Sequence, residues 1–218
     1  MYNYVIMTKL IIVRHGYSKA NEQNIFLGHG NMDLTEKGHT QAQLTAEYLQ
    51  SVQIDAIYSS DLDRAMQTAE HTAKLKNLPI IKSKGLREID AGVWDFMVFD
   101  KLRIDYPEEF DKWYNDVANC RCPGGESYRE MQDRMFSTVT SIAEENAGKT
   151  VALFSHATAV KGFICKVLGI TDQETARYPY PSNASITILE YENGKFTLIE
   201  YSKDDFLSTL KTALPEDI

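Results

Sequence analysis

Cysteine is scarce in this chain. Its 218 residues include only three, Cys120, Cys122 and Cys165, which cannot all pair and whose spacing matches no paired zinc-knuckle pattern. A disulfide framework is thereby excluded, and a reducing compartment, the cytoplasm, is expected. Long apolar runs are also missing: nothing approaches the roughly 18 residues that a membrane-spanning helix needs. The N-terminal MYNYVIMTKLIIVRHG has no cationic leader and no small-residue cleavage site, so it reads as a strand rather than a signal peptide. Positive charge is in deficit, with 23 Lys and Arg against 31 Asp and Glu, a net charge of −8 and a pI near 5.2. Nucleic acid is not expected as a partner, because it calls for a basic footprint. A small anion is still admissible, since a local arginine cluster in a concave site can dominate the field there.

Histidine is equally sparse. The five residues stand at 15, 29, 39, 71 and 156, with no i,i+4 pair and no adjoining cysteine, so no metal site is expected. No G-x-G-x-x-G follows the first strand, and Gly28-His29-Gly30 falls in a loop, which argues against a dinucleotide. No cofactor is expected on either count.

Hydrophobic residues make up 43%, enough for a core in one α/β domain spanning 1–218. Lys9–Val13 is a continuous apolar run of the kind found in central parallel strands, ending abruptly in Arg14-His15-Gly16. A loop rich in Asn and Gly follows, and Thr35 then caps a helix striped by Ala42, Thr45, Ala46, Leu49 and Val52. Asp55–Ser59 reads as a strand leading into a helix from about Asp61, with Ala65, Met66, Ala69 and Ala73 inward. Pro79–Lys82 is a further short strand. From 85 to 125 the pattern turns irregular and aromatic (Trp94, Phe96, Phe99, Tyr106, Phe110, Trp113, Tyr114), which suggests a lid-like insertion with short helices. Ser127-x-x-Glu130 forms a capping box before a long helix. Thr150–Phe154 is another buried strand, followed by Ser155-His156 and a helix carrying Val160, Phe163, Ile164, Val167 and Leu168. Asn193-Gly194 marks a two-residue hairpin between the last two strands. The alternation predicts a three-layer α/β/α sandwich around a mostly parallel, mixed sheet of about six strands.

In such sheets ligands bind outside the carboxyl ends of the strands. Three strand ends carry related polar groups: Arg14-His15, then Ser59-Ser60 with Arg64 one helical turn on, then Ser155-His156. Each is weak evidence alone, and their convergence on one sheet edge is much stronger. A phosphoryl group in transfer spreads charge over three equatorial oxygens, and guanidinium forks match that geometry. A neutral imidazole placed in line can attack phosphorus and form a covalent intermediate. Glu88, Asp90 and Asp95 sit in one irregular stretch, and the residues alone do not separate them as the general acid.

The blocks RHGYSKAN (14–21), LTEKGHTQA (34–42), YSSDLDRAMQTA (58–69), LREIDAGVWD (86–95), PGGES (123–127) and FSHATAV (154–160) carry a resemblance over most of the chain. In this order they resemble the histidine phosphatase superfamily, also called phosphoglycerate mutase-like. The resemblance implies that His15 is phosphorylated during turnover, with Arg14, Arg64 and His156 gripping the phosphoryl oxygens. It implies phosphate contacts from Ser18 and Asn21, and it selects Glu88 as the carboxylate that protonates the leaving oxygen and then activates water. Three departures stand out: Tyr17 where relatives often carry Glu or Gln, Ala157 where Gly is usual, and Asp95-Phe96 in place of the commoner Glu-Gly.

The expectation is a metal-independent phosphatase acting on a small phosphorylated metabolite; the alternative is cofactor-dependent phosphoglycerate mutase-type transfer. Mutases of that type usually show an Arg-His-Tyr-Gly run after the catalytic Glu, whereas Glu88 is followed here by Ile89-Asp90-Ala91-Gly92. A homodimer is compatible with the chain, and no membrane partner is expected.

Overall fold

The computed structural model describes residues 7–212. The first six residues of the N-terminal run thus lie outside the described residues, and β1 is Thr8–Arg14. The strands that follow are β2 (Ile25–Phe26), β3 (Ala56–Ser59), β4 (Ile80–Lys82), β5 (Met97–Val98), β6 (Thr150–Ser155), β7 (Ile186–Glu192) and β8 (Lys195–Lys203). Six of them form one sheet in the order β4-β3-β6-β1-β7-β8, while β2 and β5 make a small separate ribbon. The pairs β3–β4, β3–β6 and β1–β6 are parallel, and β7 and β8 add the antiparallel edge. At the hairpin, Asn193 and Gly194 both take positive φ, 50° and 77°, as a two-residue primed turn requires.

The helices are α1 (Lys19–Glu22), α2 (Glu36–Tyr48), α3 (Asp63–Lys76), α4 (Phe99–Asp105), α5 (Pro107–Asn115), α6 (Tyr128–Glu145), α7 (Ala157–Leu168) and α8 (Asp172–Thr175). Period-two alternation along β1 divides the core. Leu10 and Ile12 join Met131, Met135, Val160 and Phe163 of α6 and α7 on one face. Ile11 and Val13 join Leu49, Ala69 and Ala73 beside α2 and α3 on the other. The three-layer sandwich follows from a central strand that is apolar on both faces. Both expected caps are present: Thr35 accepts from the Gly38 N–H, and Ser127 and Glu130 form the reciprocal capping box.

Four details differ from the sequence reading. The Asn- and Gly-rich stretch contains α1 and β2; Ser18 caps that short helix, accepting from the Asn21 N–H while the Asn21 side chain accepts from the Ser18 N–H. The helix expected from Asp61 starts at Asp63, with Leu62 at its N-cap. Its buried face holds Arg64, Thr68 and Thr72 beside the alanines, while Met66 is only half-buried. Leu168 is exposed, because α7 ends there on left-handed Gly169. The 85–125 insertion contributes three short 3-10 turns, β5, α4 and α5. Its aromatics surround Phe26, whose ring lies 5.4 Å from Trp94 and 4.9 Å from Trp113, both edge-on.

Candidate active site

The parallel register brings the predicted strand ends into one row. Arg14 pairs with Ser155 and Ser59 with Phe154, so His15, Ser60 and His156 emerge together at the carboxyl edge. Gly16 lets the chain turn away there: a Cβ on it would lie 2.6 Å from the Gly38 carbonyl oxygen at the start of α2. A cavity of about 80 Å³ opens at this edge. Of the predicted residues, Arg14, His15, Ser18, Asn21, Arg64 and Glu88 all line it. His156 does not. It is fully buried behind His15, with the two rings 5.2 Å apart.

His15 Nδ1 lies 2.7 Å from the Gly16 carbonyl oxygen, an acceptor only, so Nδ1 carries the proton and Nε2 the free lone pair. Burial, followed by the charges of Arg64 and Arg14, holds the ring's pKa well below 6.5, against the opposing pull of the Gly16 carbonyl. Its lone pair is therefore present at neutral pH. His156 is likewise held neutral, by burial first and then by Arg64 and His15. Its Nε2 lies 2.8 Å from Ser60 Oγ, while its Nδ1 is buried without a partner.

Arg14 donates from Nη1 to the Pro181 carbonyl at 2.6 Å, and its buried Nε has no partner. Arg64 donates from Nη1 to the Gly30 carbonyl and from Nη2 to the Gly28 carbonyl, at 3.0 and 2.9 Å. Burial lowers both guanidinium pKa values to about 10, with Glu88 opposing the shift, so both remain cationic at neutral pH. Unpaired buried donors are rare in folded proteins, and the partnerless Nε of Arg14, together with a second buried guanidinium group at the cavity, suits an anion.

Glu88 is set on the N-terminus of α7. Its Oε1 accepts from the Ile89 and Ala159 N–H groups and its Oε2 from that of Thr158, all at 3.0 Å. Three of the carboxylate's roughly four lone-pair sites are thus filled, and one on Oε2 stays open. The two rival carboxylates are committed elsewhere. Asp90 faces the Gly92 N–H and lies near His29, and Asp95 accepts from Gly28 and Gly30; neither lines the cavity. Asn21 accepts through Oδ1 from Ser18 and Asn183, which leaves its amide nitrogen without a hydrogen bond among the described residues.

Several participants escaped the sequence reading. Asn183 donates to the His15 carbonyl, and Tyr180 lines the cavity together with the apolar side chains of Ile25, Leu27, Phe99 and Trp113. Phe99 and Trp113 come from the insertion, whereas Trp94 is wholly buried packing. Tyr17 is not among the lining residues; the Lys37 Nζ lies 5.1 Å above its ring. Ala157 lines the cavity at the first position of α7.

Fold and site together define a phosphoglycerate mutase-like α/β sandwich with paired histidines and paired arginines at its strand ends. A family model of the histidine phosphatase superfamily (branch 1) matches residues 10–204, and the chain belongs to that superfamily. It is 31% identical to phosphoserine phosphatase 1 of Hydrogenobacter thermophilus, over 89% of this chain and 92% of the relative. It is 32% identical to a probable phosphoglycerate mutase, GpmB, of Salmonella choleraesuis, over 87% of this chain and 88% of the relative. The solved structure of Bacillus stearothermophilus YhfR superposes with a TM-score of 0.89 at 29% identity, covering 92% of this chain and all of that one. Among the described residues, no helix is long and apolar enough to cross a membrane.

Proposed function

We propose that this chain is a metal-independent phosphomonoesterase that hydrolyses a small phosphorylated metabolite through a phosphohistidine on His15. The observation that carries the reading is the neutral Nε2 of His15, lining a cavity with two buried guanidinium groups and with Glu88 on its wall. In the first half-reaction Nε2 attacks phosphorus and the P–O bond to the leaving group breaks. The leaving oxygen takes a proton from Glu88. In the second, water attacks the phosphohistidine, gives its proton to Glu88, and the P–N bond breaks to release inorganic phosphate. Arg14 and Arg64 stabilise the equatorial oxygens, Ser18 and the Asn21 amide add hydrogen bonds, and His156, outside the cavity lining, backs the ring of His15. The guanidinium groups supply the positive charge that a metal would otherwise bring.

The similarity to a probable phosphoglycerate mutase supports a second reading, in which the phosphoryl group returns to the same sugar acid. A panel of phosphate esters, assayed for released phosphate with and without a chelator, separates the two. Phosphate release unaffected by chelator is expected. Isomerisation of 3-phosphoglycerate without net release would establish the mutase, and chelator-sensitive activity restored by a divalent metal would overturn the metal-free mechanism.

A further inference from the structure

Asp95 lies outside the cavity, yet it is tied to the Arg64 guanidinium through a loop of three residues. Its Oδ1 accepts from the Gly28 N–H at 2.9 Å and its Oδ2 from the Gly30 N–H at 2.7 Å. The carbonyls of the same two residues receive the two ends of Arg64, Nη2 on Gly28 and Nη1 on Gly30. One carboxylate thus holds the N–H groups of the same two residues whose carbonyl oxygens aim the guanidinium fork. His29, between them, places Nε2 3.0 Å from the Glu88 carbonyl oxygen, so the loop also joins Arg64 to the backbone of Glu88.

The loop is closed on its other side by the next residue. Phe96 takes φ 67°, a left-handed conformation that glycine adopts freely and a β-carbon disfavours. Its ring packs on Gly30 so closely that a Cβ there would lie 2.4 Å from the Phe96 ring. A Cβ on Gly28 would lie 2.5 Å from the Ala91 nitrogen, so neither glycine position has room for a side chain. The Phe96 N–H donates to the Phe26 carbonyl, and the β2–β5 pairing begins one residue later, so Asp95 projects from an anchored strand entry.

We propose that Asp95 is a positioning residue for catalysis, setting the Arg64 fork through the 28–30 loop, with Phe96 as the backing of that loop. The inference rests on the reading that Arg64 holds the transferring phosphoryl group. Asp95→Asn keeps the shape but replaces one acceptor by an N–H₂ facing a backbone N–H. It removes a charge-assisted hydrogen bond and sets two donors against each other.

The test is a double-mutant cycle read by calorimetric binding of inorganic phosphate, which needs no turnover, and in parallel by kcat on p-nitrophenyl phosphate. Asp95→Asn is expected to weaken phosphate binding and lower kcat about tenfold each. In an Arg64→Ala background the same change is expected to do nothing further, while in a Ser18→Ala background its tenfold effect persists. Asp95→Glu, which keeps the carboxylate, should restore most of both quantities. Equal effects of Asp95→Asn with and without Arg64 would overturn the proposal, as would a lowered Tm with phosphate affinity unchanged. Absence of phosphatase turnover in the parent enzyme, with the binding cycle still coupled, would instead fault the proposed reaction and leave the positioning role standing.

Discussion

His15 Nδ1 and the Gly16 carbonyl oxygen lie 2.7 Å apart, and this contact between neighbours sets which ring nitrogen keeps its lone pair. A proton committed to Gly16 leaves Nε2 as the only nucleophilic atom of the ring. Labelled substrate, quenched during turnover, is therefore expected to leave an acid-labile phosphoryl group on Nε2 of His15. His15→Ala should abolish both adduct and turnover while preserving the folded circular-dichroism spectrum. An adduct that forms equally well on the variant would remove His15 from the role.

Arg64 is held at both ends of its fork, by Gly30 and Gly28, so it meets a ligand with its orientation already fixed. Loss of one such preorganised donor costs about 10²–10³-fold in kcat. Arg64→Ala is expected in that range, and Arg64→Lys should recover only part, because an ammonium cannot make the bidentate contact. Full activity in the lysine variant would show that charge alone suffices.

Much of this arrangement was legible in the chain. The apolar runs ending in Arg14-His15 and Ser155-His156 announced two central strands, and the rule about carboxyl strand ends put their polar groups together. What stayed hidden came from the opposite strand sense. β7 runs antiparallel to β1, with Ile186 beside Val13, so the loop that enters β7 reaches the same edge as the end of β1. That is how Tyr180, Pro181 and Asn183 join the site, and no rule for parallel strands points to them. The helix α1 was hidden for a different reason. Four residues carry no measurable periodicity, and only the Ser18–Asn21 capping box marks them. Among the residues alone Glu88 was inseparable from Asp90 and Asp95; the α7 N-terminus distinguishes them, and it is 70 residues away in sequence.

Burial of two neutral histidines also has a thermodynamic signature. The folded-state pKa values of His15 and His156 lie well below the 6.5 of an exposed ring. As pH falls below about 6.5 the unfolded chain takes up protons there that the folded chain refuses, so stability declines with acidification. Each group contributes up to about 1.4 kcal/mol per pH unit until its folded pKa is reached. Urea unfolding in phosphate-free buffer between pH 7.5 and 5.5 should show this slope. A His15→Asn/His156→Asn double variant should flatten it, leaving the smaller part due to half-buried His71. An unchanged slope would mean that carboxylates govern the acid limb.

Glu88 provides the most discriminating test, because its proposed work depends on the leaving group. An alkoxide leaves poorly, so a general acid must protonate it, and the same group then deprotonates the attacking water. Oε2, with one backbone donor and an open lone-pair site, is the atom placed to carry that proton. Glu88→Gln keeps the side chain's shape and can still accept from backbone N–H groups through its remaining carbonyl oxygen, but it can no longer exchange a proton. Alkyl phosphates should then slow by about 10²–10⁴-fold, the usual span of general acid–base catalysis. Nitrophenolate leaves readily unprotonated, so with p-nitrophenyl phosphate the phosphorylation of His15 should survive while the water-dependent step becomes limiting. Stopped-flow absorbance is expected to show a burst of nitrophenol, at most one per active site, followed by slow turnover. Equal slowing of both ester types with no burst would take the proton-transfer role from Glu88. The same measurements on Asp90→Asn and Asp95→Asn would then test the other two carboxylates of that stretch.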